Sequence, residues 1–220
     1  MSILEARQVE DPRQWWNARY ATDSFLFGEE PSQFLQANAF RLRADQSALC
    51  VAAGEGRNST WLAAQGLIVT AFDFSSHALV KADSLAQRRG ARVELHTREL
   101  RDWPWAKFQF DVVIGIFVEY ESRAEQDDVI TGMRNAVLPG GQILLEGYRP
   151  EQIQFGPTGP HYRYQTYTKQ WLQEKFADWK ICVLQSYTAE LHEGPGRQGK
   201  SALIDLIARK PLAAAKIRQA

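Results

Sequence analysis

From position 48 onward, short apolar runs alternate with stretches in which apolar residues recur every three to four positions. The runs of strand length are Ala48 to Ala52, Ile68 to Asp73, Arg92 to His96, Phe110 to Ile116, Gln142 to Gly147, Lys180 to Thr188 and Ser201 to Ala208. Between the first five, helical spacing covers 57 to 65, 75 to 89 and 122 to 137. The third stretch is stopped by Leu138-Pro139-Gly140-Gly141, where proline lacks an N–H and glycine costs backbone entropy. Glu99 to Lys107, rich in tryptophan and proline, predicts no helix. Parallel neighbours need a crossover between them, so this alternation predicts a mostly parallel sheet with helices on both faces. A further helix starts after Thr168 as N-cap and leads into the last two strands. Their glycine-rich connection, Ala189 to Lys200, is too short for a crossover helix, so they are predicted to pair antiparallel. The fold class read from the pattern is α/β: a three-layer sandwich around a seven-stranded, mostly parallel sheet whose last strand is antiparallel.

Two helical patterns, 12 to 21 and 31 to 43, precede the sheet. They divide the chain into an N-terminal cap over 1–45, a ligand-binding domain over 46–210 and a tail over 211–220. The composition, 45% hydrophobic and 24% charged, is that of a globular chain. The 26 basic residues cancel the 26 acidic ones, so no net charge draws the protein to a phosphate backbone. A small-molecule substrate is expected, with no nucleic-acid partner, in a monomer or homodimer. With no run near the ~20 apolar residues of a membrane span and no signal-peptide core at the N-terminus, a cytoplasmic protein without membrane contact is expected. Cys50 and Cys182 sit in apolar runs and read as buried core residues, and the four scattered histidines suggest no metal site.

The chemistry concentrates at strand ends. Leu49 to Ser59 (LCVAAGEGRNS) reads as a buried strand, a glycine turn and a helix start. Gly54 and Gly56 let the backbone approach a ligand, and the first N–H groups of the helix favour an anionic group. Asp73 ends the second strand, where a carboxylate can accept both hydroxyls of a ribose, and Phe74 can lie against a purine ring. Glu99 and Leu100, after the third strand, can meet the edge and face of that ring. Asp111 lies at the opposite end of its strand and reads as structural. Ile116, Phe117 and Glu119 lie at the fourth strand's ligand end, with Glu119 a candidate base. The loop of roughly twenty residues around 155 to 167, with His161, Tyr162, Tyr164 and Tyr167, has the length of a binding loop or lid. Tyr20, Phe25 and Phe27 are aromatic candidates ahead of the sheet.

These residues resemble the class I S-adenosylmethionine-dependent methyltransferases, Rossmann-like in fold, and among them the small tellurite-resistance-type branch. The resemblance rests on Ala53-Gly54-Glu55-Gly56-Arg57-Asn58, Trp16-Asn17-Ala18-Arg19-Tyr20, Phe27-Gly28-Glu29-Glu30-Pro31, Asp73-Phe74-Ser75, Leu138-Pro139-Gly140-Gly141 and Glu193-Gly194 to Gly199-Lys200. It implies that the methionyl part of S-adenosylmethionine lies over Ala53, Gly54 and Gly56, flanked by Glu55 and Asn58. Its ribose would lie on Asp73 and its adenine between Phe74 and Leu100 beside Glu99. Tyr20 and Gly28 would close over it, and Ile116 and Phe117 would lie near the reacting centre. The implied activity is methyl transfer to a small acceptor such as a thiol, tellurite or selenite, leaving S-adenosylhomocysteine. A non-catalytic binding protein for the same ligand is the alternative. Glu119-Tyr120 and Arg197 stand where the branch carries histidines. With Tyr20, Glu119 and Arg197 are the candidate catalytic residues, and Lys200 joins Arg197 as a partner for an anionic acceptor.

Overall fold

Strands β1 (Ser47–Val51), β2 (Ile68–Asp73), β3 (Val93–Thr97), β4 (Phe110–Ile116), β5 (Val137–Tyr148), β6 (Lys180–His192) and β7 (Gln198–Arg209) pair into a seven-stranded sheet. The computed structural model describes residues 12–118, 120, 122–155 and 166–213. The strand order is β3-β2-β1-β4-β5-β7-β6. The pairs among β1 to β5 are parallel, and β7 runs antiparallel to both β5 and β6. The short β6–β7 connection thus produces the reversed last strand that its length requires.

Helices α1 (Pro12–Tyr20), α2 (Gln33–Ala37), α3 (Arg57–Ala64), α4 (Ser76–Arg88), α5 (Arg123–Asn135) and α6 (Lys169–Lys175) cover the sheet. Ser32, Ser75, Ser122 and Thr168 each accept an N–H of the first turn of α2, α4, α5 and α6, which accounts for where those helices begin. One face of the sheet (Leu49, Val113, Ile143) packs on Ile130 and Met133 of α5, Leu172 of α6 and Phe176 at the C-cap of α6. The other (Cys50, Ile114, Leu144) packs on Phe34 and Leu35 of α2 and Leu62 of α3. Two apolar faces explain why β4 reads as a continuous apolar run.

Several boundaries differ from the sequence pattern. The helix expected over 31 to 43 stops at Ala37, because the Asn38 side chain donates to the Phe34 carbonyl at 2.9 Å, and a 3-10 turn, Ala39–Arg41, follows. Residues 137 to 141 belong to β5, not to the end of a helix. Gly140 and Gly141 exchange backbone hydrogen bonds with Lys210, and a Cβ on Gly141 would lie 2.6 Å from the Asp111 carbonyl. The hairpin strands extend further than the apolar runs, leaving only 193–197 to connect them. Cys182 is exposed, not buried: the β6–β7 register shifts between Ile181 and Val183 and turns it out of the core. β1 pairs with β2 on one side and β4 on the other, so the chain's winding reverses there and a crevice opens at the carboxyl ends of these strands.

Candidate active site

The glycine turn leaves β1 through three left-handed residues, Ala52 (φ 48), Gly54 (φ 55) and Gly56 (φ 83). Gly56 caps α3, and a Cβ there would lie 2.6 Å from the Ala82 Cβ, so α3 and α4 can meet only if this position is bare. Asp73 supports the turn. Its Oδ2 accepts the Gly54 N–H at 2.8 Å and its Oδ1 the Ser75 N–H at 2.9 Å. Burial pushes its carboxyl up to about 6 against the lowering effect of backbone bonds from Ser75, Gly54 and Phe74. Each oxygen keeps a second lone pair for a ligand hydroxyl.

A cleft of about 440 Å³ is lined by Phe74, which follows Asp73 in the chain, and by Thr97, Arg98 and Glu99. Gln14 and Asn17 of α1 form the opposite wall. Neither was singled out from the sequence, although Asn17 lies inside a quoted motif. The Ser75 hydroxyl donates to Asn17 Oδ1 at 2.5 Å, which ties α1 to the cap of α4. Leu100 packs against the core, and its carbonyl accepts the Trp105 indole N–H at 3.2 Å. An aromatic face, an edge carboxylate and an acid at the strand end suit an adenosine in shape and hydrogen bonding.

The segment 24–30 runs over the glycine turn as a strap. Glu55, 4% exposed, accepts the N–H groups of Leu26 (2.8 Å) and Phe27 (3.4 Å) and pairs with Lys81 at 2.7 Å. Asn58 accepts the Ser32 N–H at 2.9 Å. The carboxylate and amide oxygen of these two expected cofactor residues thus hold the strap and the start of α2. Ala53 bonds the Phe72 carbonyl through its N–H. Tyr20 stacks on Trp16, and its hydroxyl lies 3.3 Å from where a Gly54 Cβ would be. The backbone of Gly28 (φ 72) lies against Gly194 of the β6–β7 connection.

That connection carries Arg197, which is buried. Its Nε donates to the Tyr148 hydroxyl at 3.0 Å and its Nη1 to Glu193 at 3.2 Å, and the guanidinium lies 3.6 Å from the Phe117 ring centroid and 4.4 Å from that of Phe27. Arg57, at the start of α3, bonds the same Glu193 oxygen at 2.6 Å and the Phe27 carbonyl at 3.3 Å. Burial raises the Glu193 carboxyl, but Arg57 and Arg197 bring it below its ordinary value. These contacts make Arg197 a brace between hairpin, strap and β4. Lys200 is exposed, with its ammonium 5.0 Å from the Phe155 ring centroid. Ile116 is buried and Phe117 turns at φ 54, both at the end of β4. Glu119, His161, Tyr162 and Tyr164 lie outside the described residues. Tyr167 is buried, its hydroxyl 2.5 Å from that of Tyr120. The sequence reading missed Glu146 and Asp205; the only available signal was a single acid inside each of two apolar runs.

A reversed last strand, a switch point between β1 and β4, a glycine turn and a strand-end acid beside an adenosine-sized cleft define a class I S-adenosylmethionine-dependent methyltransferase fold. Residues 48–141 match the family described as a methyltransferase domain. The matched domain and the fold are those of S-adenosylmethionine-dependent methyltransferases. It is similar to TehB from Haemophilus influenzae, with 18% identity over 90% of this chain and 66% of TehB, at a TM-score of 0.65. It is also similar to the N-methyltransferase NodS from Bradyrhizobium japonicum WM9 in complex with S-adenosylhomocysteine, with 14% identity over 92% of this chain and 100% of NodS, at a TM-score of 0.70. The [4+2]-cyclase SpnF shares the fold as well, with 17% identity over 92% and 96% of the two chains and a TM-score of 0.67. No curated protein sequence matches the chain. No described helix is long and apolar enough to cross a membrane. Among the described residues no group of three or more His, Cys, Asp or Glu side chains is placed to hold a metal ion.

Proposed function

We propose that the protein transfers the sulfonium methyl group of S-adenosylmethionine to a small-molecule acceptor and releases S-adenosylhomocysteine. The observation that carries this reading is the 440 Å³ cleft lined by Glu99 and by Phe74, which is one residue along the chain from the Asp73 that supports the glycine turn. In this reading Phe74 lies along the adenine, Glu99 meets its amino edge, and Asp73 accepts the ribose hydroxyls on its remaining lone pairs. The methionyl part lies over Ala53, Gly54 and Gly56, and Ile116 and Phe117 stand beside the sulfonium. Residues 12 to 45 act as a cap, with Tyr20 and Phe27 excluding water. In-line displacement at a methyl carbon draws most of its rate from alignment and desolvation, which a closed chamber supplies.

The neighbours carry different chemistries, N-methyl transfer and a cyclisation among them, so the fold does not select the acceptor; thiols and the oxyanions tellurite and selenite belong in the panel. Calorimetry with S-adenosylhomocysteine and transfer of labelled methyl to that panel test the reading. Tight binding with a methylated product supports it, and no binding at millimolar ligand refutes it. Binding without transfer to any acceptor would favour a non-catalytic sensor instead, a reading that draws on the lack of an obligatory nucleophile among the described site residues.

A further inference from the structure

β5 carries one acid in an otherwise apolar stretch. Glu146 is 1% exposed, and its Oε2 has no hydrogen-bond partner among the described residues. A buried carboxylate in that state strongly disfavours its own ionisation. The sheet register places Asp205 of β7 on one side of Glu146 and Ile116 of β4 on the other, so the three side chains share a face. Glu193 and Arg197 from the hairpin connection, Arg57 from α3 and Tyr187 from β6 lie within electrostatic reach.

The charges in this cluster do not balance if every group ionises: among the described residues, Glu146, Glu193 and Asp205 face two cations, Arg57 and Arg197. One proton restores neutrality, and its location follows from the surroundings. Burial, Glu193 and Asp205 push Glu146 up to about 8, against the pull of Arg197 and Arg57. Asp205 reaches only about 6 through its burial, opposed by bonds from Gln185 and Tyr187, while Glu193 is held down by its two arginines despite its burial. At neutral pH the proton therefore sits on Glu146.

Glu146 also adjoins the end of β4. The Phe117 N–H donates to the Glu146 carbonyl at 2.8 Å, and Phe117 is the residue that the methyltransferase reading sets beside the sulfonium. We propose that Glu146 gives up its proton when the positive sulfonium binds and then, as a carboxylate, takes the proton from the attacking atom of the acceptor. The acceptor is then an amine, thiol or hydroxyl compound, not an oxyanion. The proposal rests on the methyltransferase reading.

The step balances. Cofactor binding sends the Glu146 proton to solvent. In the transfer, the S–CH₃ bond breaks with its electron pair remaining on sulfur, a lone pair of the acceptor forms the new bond to carbon, and the acceptor proton passes to Glu146. The cluster is neutral with Glu146 protonated, neutral with sulfonium and carboxylate together, and neutral again after transfer.

Calorimetry in buffers of different ionisation enthalpy tests this without a known acceptor. At pH 7, S-adenosylmethionine is expected to release close to one proton more than S-adenosylhomocysteine. The affinity ratio of the two ligands should rise about tenfold per pH unit up to about 8 and then level off. Taking the ratio cancels any titration that affects both ligands alike. Glu146→Gln should abolish the proton difference while still binding S-adenosylhomocysteine. If that variant does not fold, Asp205→Asn serves instead, because removing a neighbouring negative charge should move the levelling-off to lower pH. In turnover with the acceptor panel, Glu146→Gln should lower kcat by about 10²-fold or more. Equal proton release for the two ligands, an unmoved profile in Asp205→Asn, or transfer to oxyanions alone overturns the proposal. Failure of the wild type to bind S-adenosylhomocysteine refutes the methyltransferase reading itself.

Discussion

Asp73 serves both the turn and the proposed ribose site, and Asp73→Ala separates these roles. Burial holds the carboxyl near 6 rather than 3.8, so keeping it ionised at neutral pH costs about 3 kcal/mol. The sign follows from the raised value: the folded state binds the proton more tightly, so the penalty is absent below about pH 4 and fully present above about pH 6. The raised value already includes the charge-assisted part of the bonds from the N–H groups of Gly54 at 2.8 Å and Ser75 at 2.9 Å, so only their worth as neutral hydrogen bonds, about 0.5–1.5 kcal/mol each, stands against the penalty. Removing the side chain loses both bonds and also removes the penalty. The bonds lost, about 1–3 kcal/mol together, and the penalty removed, about 3 kcal/mol, nearly cancel at pH 7, so Tm should stay level or rise by a few degrees. The ligand has no such offset. Two ribose hydroxyls bonded to a carboxylate contribute about 3–6 kcal/mol, so affinity for S-adenosylhomocysteine should fall about 10²–10⁴-fold. In the wild type that affinity should be level above about pH 6 and decline below it, as the acceptor oxygens are protonated. Calorimetry and a melting curve on the same preparation measure both quantities. A variant that binds S-adenosylhomocysteine within threefold of the wild type, whatever its melting temperature, would refute the ribose role of Asp73.

Gly194→Ala places a Cβ 2.6 Å from the Phe27 carbonyl carbon and 2.7 Å from the Leu26 carbonyl oxygen, at a φ of 68. Left-handed strain of about 1–2 kcal/mol plus displacement of the strap should speed proteolysis within 24–30, and an unchanged cleavage rate would refute the docking. Glu193→Ala leaves Arg57 and Arg197 buried with no shared carboxylate and should destabilise by about 3–5 kcal/mol. Because the two arginines hold Glu193 below its ordinary value, its contribution is present above that value and lost as pH falls. The gap in Tm between wild type and variant should therefore narrow in acid. Gly56→Ala, whose Cβ would meet Ala82 at 2.6 Å, should cost clearly more than Gly90→Ala, where φ is 61 but nothing lies within 4 Å. Equal melting temperatures for the two would contradict the tight packing of α3 on α4.

What was legible in the chain follows the distance over which each feature is set. Strand and helix order, the reversed last strand and the part of Gly54 and Gly56 in the turn are local, written within one βα unit or one connection length, whereas the bond from Gly54 to Asp73 crosses 19 positions and was not legible. Boundaries slipped where distant backbone intervened: Pro139-Gly140-Gly141 reads as a helix stop until Lys210 pairs with it, and the hairpin reads short until its connection meets the strap. Glu55 and Arg197 stood out as residues, but their partners did not, because the bridge from Arg57 to Glu193 spans 136 positions. Glu146 is the extreme case. Its neighbour Gly147 faces the Tyr167 ring, where a Cβ would lie 2.5 Å from the nearest ring carbon. A one-residue slip of β5 would bring Glu146 to that face, driving a carboxylate into the ring and parting it from Asp205. The bare Gly147 therefore holds the register, and the register, not the residue type, gives Glu146 its unpaired oxygen and its charged neighbours.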